Sequence, residues 1–313
     1  MTGAAGMLGH DVARAGERSG QELVLVDLPE IDITDAAAVD ELLDMVLAEP
    51  GSLQAIVNCA AWTDVDGAES KPELAHAVNA DGAGNLARAA ARIDVPLLHI
   101  STDYVFDGVA SLDADGRPRP YVESDPTGPR SVYGSTKLDG ERQVLAASPR
   151  HTVVRTAWLY GVDGPNFVET MLRLAGERDA TGSTDRSATA RSRSAGANPV
   201  APSVQVVTDQ IGSPTWSGHL APAVLGLLER DVTGLVHMTG AGEVSWNGFA
   251  REIFRQAEVD CTVEPASSEQ MARPAPRPAW SALASERDDV LPMPDWREGL
   301  AGYLAARAGM MRA

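Results

Sequence analysis

An α/β fold, in which helices cover both faces of a doubly wound parallel sheet beside a smaller C-terminal lobe, is predicted by three observations. Short apolar runs alternate with helix-like stretches over roughly the first half of the 313 residues, the rhythm of βαβ units. A glycine-spaced turn opens the chain. A Tyr-x-x-x-Lys pair stands on a helix that follows the strand-like runs.

The turn comes first. Gly3, Gly6 and Gly9 read G-x-x-G-x-x-G just before a helical segment, where bare backbone approaches a pyrophosphate at a helix N-terminus. Such spacing alone also fits an ordinary tight turn, so it needs partners. Residues 23–26, 55–57, 97–100 and 152–154 are short apolar runs, as expected of strands buried on both faces. Asp27 closes the first of these, where a carboxylate accepts the adenosine ribose hydroxyls. A helix is predicted over 35–47, with Thr34 as its N-cap and apolar residues at Val39, Leu42, Leu43, Val46 and Leu47. Pro72 opens another, at a position where its missing N–H costs little.

The second half changes character. Residues 181–203 are mostly Ser, Thr, Ala, Gly and Arg, with one Val as the only sizeable aliphatic residue, too poor in apolar surface to build a core. A disordered surface insert is expected there, with a mobile lid as the alternative. A strand resumes at 204–207, a Gly-Ser-Pro turn follows at 212–214, and Ser245 is set to cap a helix carrying Phe249, Ile253 and Phe254. The expected division is a dinucleotide-binding domain over 1–157 plus about 204–240, and a substrate lobe over 158–180 plus about 241–313.

Composition excludes several classes. A net charge of -18 opposes nucleic-acid binding, which needs clustered Lys and Arg. No run approaches the roughly 18 apolar residues of a membrane helix. The N-terminus lacks a basic start followed by an apolar core, so a cytoplasmic chain is expected. Two distant cysteines, Cys59 and Cys261, and six scattered histidines form no disulfide framework or metal-ligand spacing, and no metal is predicted. Lys71 and Lys137 are the only lysines among 26 basic residues, beside 44 acids. That imbalance resembles proteins of salt-rich cytoplasm, where screening shortens to roughly 3 Å at 1 M salt; GC-rich coding bias reads it equally well.

The chemistry centres on Tyr133 and Lys137, four residues apart and so on one helix face. With five tyrosines and two lysines, chance supplies about 0.03 such pairs. A free phenol, with a pKa of about 10, is a weak acid-base group near neutrality, and a nearby cation favours phenolate. Lys137 is therefore expected to tune Tyr133. Thr102 lies where the strand at 97–100 runs out, the edge at which open parallel sheets gather their sites.

These residues resemble a known family. The Tyr-x-x-x-Lys pair, Ser101-Thr102-Asp103-Tyr104-Val105-Phe106, Asn58-Cys59-Ala60-Ala61 and Asp32-Ile33-Thr34-Asp35 are similar to the extended short-chain dehydrogenase/reductases, and more narrowly to the dTDP-4-dehydrorhamnose reductase family. Arg155 to Gly161, Asn166-Phe167, Asp209 to Trp216 and Arg277-Pro278 carry the resemblance along nearly the whole chain. It implies a Rossmann-like fold, NADPH or NADH as cofactor, and reduction of the C4 keto group of a nucleotide-activated 6-deoxysugar. It further implies that Tyr133 protonates the C4 oxygen, that Lys137 binds the nicotinamide ribose, and that Thr102 hydrogen-bonds the carbonyl. Gly3, Gly6, Met7 and Leu8 would line the pyrophosphate, Asp32 and Ile33 the adenine, and Ala60, Ala61, Thr63 and Asn79 the cofactor's middle and ribose. Val65, Tyr104, Trp158, Asn166 and Arg277 would hold the sugar nucleotide, and a homodimer is compatible with the family. The family begins with a hydrophobic strand that leads into the glycine turn, whereas only Met1 and Thr2 precede Gly3; a first strand is expected to be missing, through a wrongly chosen start codon. Two other readings stay open: a regulatory subunit resembling that of methionine adenosyltransferase, and a nucleotide-sugar epimerase or dehydratase.

Overall fold

The computed structural model describes residues 1–48, 53–181 and 202–310. Residues 182–201, most of the expected insert, lie outside them. In chain order the main elements are α1 (Met7–Arg18), α2 (Ala36–Ala48), β1 (Ile56–Asn58), α3 (Val65–Ser70), α4 (Pro72–His76), α5 (Ala83–Arg92), β2 (Leu97–Thr102), α6 (Val132–Ala147), β3 (Thr152–Thr156), α7 (Phe167–Thr181), β4 (Ser203–Val207), β5 (Gly234–His237) and α8 (Ser217–Glu229), which precedes β5 in the chain. α9 (Trp246–Gln256), β6 (Thr262–Ala266) and α10 (Trp296–Met310) complete the set.

The main sheet runs β1-β2-β3-β5, every pair parallel. Its central strands are buried at every position except Ile100, which is partly buried, because apolar clusters cover both faces. On one face Leu8 and Val12 of α1 pack with Leu220, Val224 and Leu227 of α8; on the other Val39 and Leu43 of α2 pack with Leu86 and Ala90 of α5. Asp35 caps α2 by accepting from the amides of Ala37 and Ala38, so the expected Thr34 cap shifts by one residue.

Met1 and Thr2 take the place of a strand at the edge of β1. The Thr2 amide donates to Val57 O, Cys59 N donates to Thr2 O, and Val26 N donates to Met1 O. The strand expected over 23–26 reduces to a single bridge at Val26, because the segment beside it offers two residues for pairing; Val24 and Leu25 stay about half exposed.

The expected division needs one correction. β4 does not join the main sheet with β5 but pairs with β6 in a separate two-stranded parallel sheet. Its Val204 and Val206 are buried among Val168 and Met171 of α7, Phe249 and Ile253 of α9, and Leu300 of α10. Ser245 caps α9 as expected, accepting from the Gly248 amide at 3.0 Å.

Candidate active site

The carboxyl end of β2 and the first turn of α6 meet at one corner. α6 starts cleanly because the Ser131 hydroxyl accepts from the Gly134 amide at 3.1 Å. Gly134 then lets the helix press on the preceding loop: a Cβ there would overlap the Tyr104 carbonyl oxygen. That contact brings Tyr133 to the strand end, beside the Thr102 hydroxyl. Thr102 Oγ1 donates to Asp103 Oδ1 at 3.0 Å and accepts from the Tyr104 amide at 3.3 Å. Tyr104 packs its ring edge-on to Tyr133 at 5.5 Å.

Burial pushes the Tyr133 phenol up to about 12, with the nearby Thr102 hydroxyl opposing and Asp103 adding to the rise. This is opposite to the direction expected from a neighbouring cation. The reason is where Lys137 points: its Nζ, on a side chain 2% exposed, donates to Ile100 O at 2.6 Å and lies 3.1 Å from His99 Nε2. A phenol held protonated suits a proton donor.

Asp103 is a further residue of this corner. It is 2% exposed, burial pushes its carboxyl up to about 6 against the Ser281 and Thr102 hydroxyls nearby, and its Oδ2 has no partner within hydrogen-bond distance. An orphaned buried oxygen beside Thr102 is a place for a ligand hydroxyl. The position was visible in sequence, within Ser101-Thr102-Asp103-Tyr104, but no spacing rule singles out the carboxylate.

Beneath this corner a buried ion pair ties helix to sheet. Arg155 of β3 forks onto Glu141 of α6 at 2.9 and 2.7 Å, with both side chains below 5% exposed, and Ser101 of β2 donates to Glu141 at 2.5 Å. Arg155 also lies over the Phe106 ring, 5.0 Å from its centre.

The glycine turn forms a backbone cradle. Gly3 has φ +72°, and a Cβ there or at Gly9 would overlap backbone. α1 carries no side-chain cap, and Gly6 is its N-cap residue, so its first amides face outward for an anion. Such a cradle fits a dinucleotide pyrophosphate. Met7 borders it, whereas Leu8 is spent on the core and offers only its backbone amide. Asp27 reaches across to the cradle, accepting from the amides of Ala5 at 2.8 Å and Leu28 at 2.9 Å.

Other predicted cofactor residues divide in the same way. Ile33 is 6% exposed, packed in the core, so only its backbone remains for an adenine; Asp32 is exposed but binds Thr34. Ala60 and Ala61 line the loop after β1, and Thr63 is exposed on it. Asn79, in a π-helical turn over Ala77–Gly82, is a clamp: Oδ1 accepts from Trp62 N at 2.8 Å, and Nδ2 donates to Trp62 O and to Thr136 Oγ1 of α6. Its side chain positions the loop rather than reaching for a ligand.

On the remaining side, Val65 opens α3, and Asp66 beside it pairs with Arg277 at 3.0 Å. Arg277 in turn lies 6.0 Å over the Tyr104 ring. Tyr104, Tyr133, Asp66 and Arg277 thus form one wall. Trp158 has φ +46°, a strained backbone for a bulky residue. Its indole stacks on Trp246 at 3.5 Å and donates to Ser281 at 3.2 Å, in room that a Cβ on Gly212 would fill. Asn166 is engaged locally, donating to Gly161 O and accepting from Glu169 N in the first turn of α7. Trp246 was missed because nothing local in sequence marks a stacking partner 88 residues beyond Trp158.

Among the described residues, no group of ligating side chains could hold a metal ion and no helix is long and apolar enough to cross a membrane. A family model described as RmlD substrate binding domain matches residues 1–185 and 197–308. A dTDP-4-dehydrorhamnose reductase of Mycolicibacterium smegmatis is 41% identical over 99% of this chain and 85% of its own length. Among solved structures, a dTDP-4-dehydrorhamnose reductase of Clostridium acetobutylicum superposes with TM-score 0.83 at 36% identity, covering 97% of each chain. One of Bacillus anthracis, solved in complex with NADP, gives TM-score 0.84 at 33% identity, again over 97% of each chain.

Proposed function

The chain belongs to the dTDP-4-dehydrorhamnose reductase family, and from that premise we propose that it reduces the C4 keto group of dTDP-4-dehydro-L-rhamnose to give dTDP-L-rhamnose. It is an NAD(P)H-dependent oxidoreductase with a Rossmann-like fold. The observation that carries the reading is the phenol of Tyr133 beside Thr102 at the carboxyl end of β2, with the backbone cradle of α1 at the edge of the same sheet. The nicotinamide, when bound, supplies the hydride.

The protein's own work is proton supply and positioning. Tyr133 gives its phenol proton to the oxygen left at C4, and Thr102 turns its hydroxyl from Asp103 to the same oxygen. Asp103 Oδ2 accepts a sugar hydroxyl. Arg277, held by Asp66, faces the nucleotide's negative charge, and the Trp158–Trp246 stack offers an aromatic surface to its base. The smaller lobe, built on α7, α9, α10 and the β4–β6 pair, forms the substrate side of the cleft. The enzyme works in the cytoplasm on a small-molecule nucleotide sugar.

Asp27 sets the nicotinamide preference. Its carboxylate is fixed by Ala5 and Leu28 amides, and none of the ion pairs among the described residues neutralises it. A 2'-phosphate would meet a like charge, which costs about 1 kcal/mol at 4 Å in water-like surroundings and more when partly shielded. Asp27→Ser is therefore expected to raise kcat/KM for NADPH relative to NADH by about tenfold. Steady-state kinetics with both cofactors checks this, and an unchanged ratio contradicts it.

The function itself is tested by adding dTDP-4-dehydro-L-rhamnose to purified protein and reduced nicotinamide. Substrate-dependent loss of the reduced form with production of dTDP-L-rhamnose is expected. Absence of turnover with this sugar, under conditions where the cofactor binds, rejects the reading.

A further inference from the structure

Lys137 ends a buried chain of polar groups that the reaction described above does not use. Asn58 and His99 are fully buried. Asn58 Oδ1 accepts from Ala60 N and from Thr2 Oγ1, each at 2.9 Å. The Ala60 amide is a donor only, so it fixes which end of the Asn58 amide is oxygen. Asn58 Nδ2 must then donate to His99 Nδ1, 3.0 Å away. An imidazole that accepts at Nδ1 carries its proton at Nε2 when neutral. Burial, with Lys137 adding to it, holds His99 well below the usual histidine range, so the ring is neutral. Its Nε2–H therefore points at Lys137 Nζ, 3.1 Å away. An ammonium there would set donor against donor. A neutral amine resolves the clash: its lone pair accepts from His99 Nε2–H while one of its own hydrogens serves Ile100 O.

We propose that Asn58 and His99 are positioning residues that make Lys137 give up its proton more readily in the cofactor-free enzyme, by fixing the imidazole tautomer that donates to it. Several titratable or charged groups face Lys137. From β2 there is His99. From the loop after β1 comes the Cys59 thiol, which burial pushes up to about 12 and so leaves uncharged, with the half-buried Met1 ammonium beyond it. On its own helix are the Tyr133 phenol, held protonated, and Glu141, whose charge is largely taken up by Arg155 of β3. Burial pulls Lys137 down to about 8, with Glu141 opposing.

The chain's two lysines make the test direct. With 15N- and 13C-labelled lysine, side-chain NMR of the full-length, cofactor-free protein shows one titration for exposed Lys71 and one for Lys137, assigned with Lys71→Arg. Lys137 is expected to titrate at least about one pH unit below Lys71. His99→Gln, whose amide oxygen can accept from an ammonium, is expected to move it up by about one unit and to shift the same limb of the kcat–pH profile. Lys137 titrating together with Lys71 overturns the proposal, as does a low Lys137 midpoint unmoved in His99→Gln, which assigns the effect to burial alone. Should His99→Gln not fold, Asn58→Asp replaces it: a carboxylate takes the proton to Nδ1, leaves Nε2 as acceptor, and is expected to raise Lys137; no rise overturns the proposal. None of these titrations depends on turnover, so failure here is separate from failure of the reductase reading.

Discussion

Tyr133→Phe is expected to lower kcat by about 100- to 10,000-fold, the usual contribution of a positioned proton donor, with cofactor affinity nearly unchanged. The ring stays in place because its edge-on contact with Tyr104 and its position in the first turn of α6 do not involve the hydroxyl. What is lost is the proton. Thr102 keeps its bond to Asp103 and cannot substitute, because an aliphatic hydroxyl is a far weaker acid than a phenol. Turnover measured under saturating cofactor, together with equilibrium cofactor binding, checks the split. Wild-type kcat in the variant removes Tyr133 from the chemistry.

Arg155→Met is expected to destabilise the protein by about 3–5 kcal/mol, the loss seen when one partner of a buried pair is removed and the other charge remains. Glu141 would keep only the Ser101 hydroxyl as partner in a dry site. Because the pair fastens α6 to β3, the catalytic helix should loosen with it. The double variant Arg155→Met/Glu141→Leu is expected to recover much of the loss, since no buried charge is then left uncompensated. Denaturant unfolding of the three proteins checks this; a single variant within about 1 kcal/mol of wild type contradicts it.

The legible part of the fold follows from periodicity. Residues 97–100 and 152–154 read as buried strands because both faces of β2 and β3 are covered, which makes their sequences mostly apolar rather than alternating. Residues 23–26 have the same composition, yet pairing depends on a neighbour, and Met1–Thr2 gives only two residues of one. β4 reads as a strand equally well, but no local signal says which sheet it joins; that is set by β6, 59 positions later in register.

The site divides along the same line. Tyr133 and Lys137 were legible because a helix fixes their spacing, and Thr102 because strand ends gather sites. What Lys137 touches was not legible. His99 and Asn58 sit on two different strands, in a register pairing Asn58 with His99, and only the assembled sheet places them in line with the lysine. Leu8, Ile33, Asn79 and Asn166 show the converse, in which a residue type suited to a ligand is used for packing, clamping or capping.

The central claim is that hydride arrives at C4 and the proton comes from one buried phenol. It is tested most directly by running the reaction with nicotinamide deuterated at its transferable position and locating the label in the product sugar by NMR. The account predicts one deuterium, on carbon at C4 of the 6-deoxysugar, in a reaction that Tyr133→Phe slows by at least about 100-fold. Deuterium at any other carbon, or no deuterium in a sugar that has nonetheless changed, contradicts it.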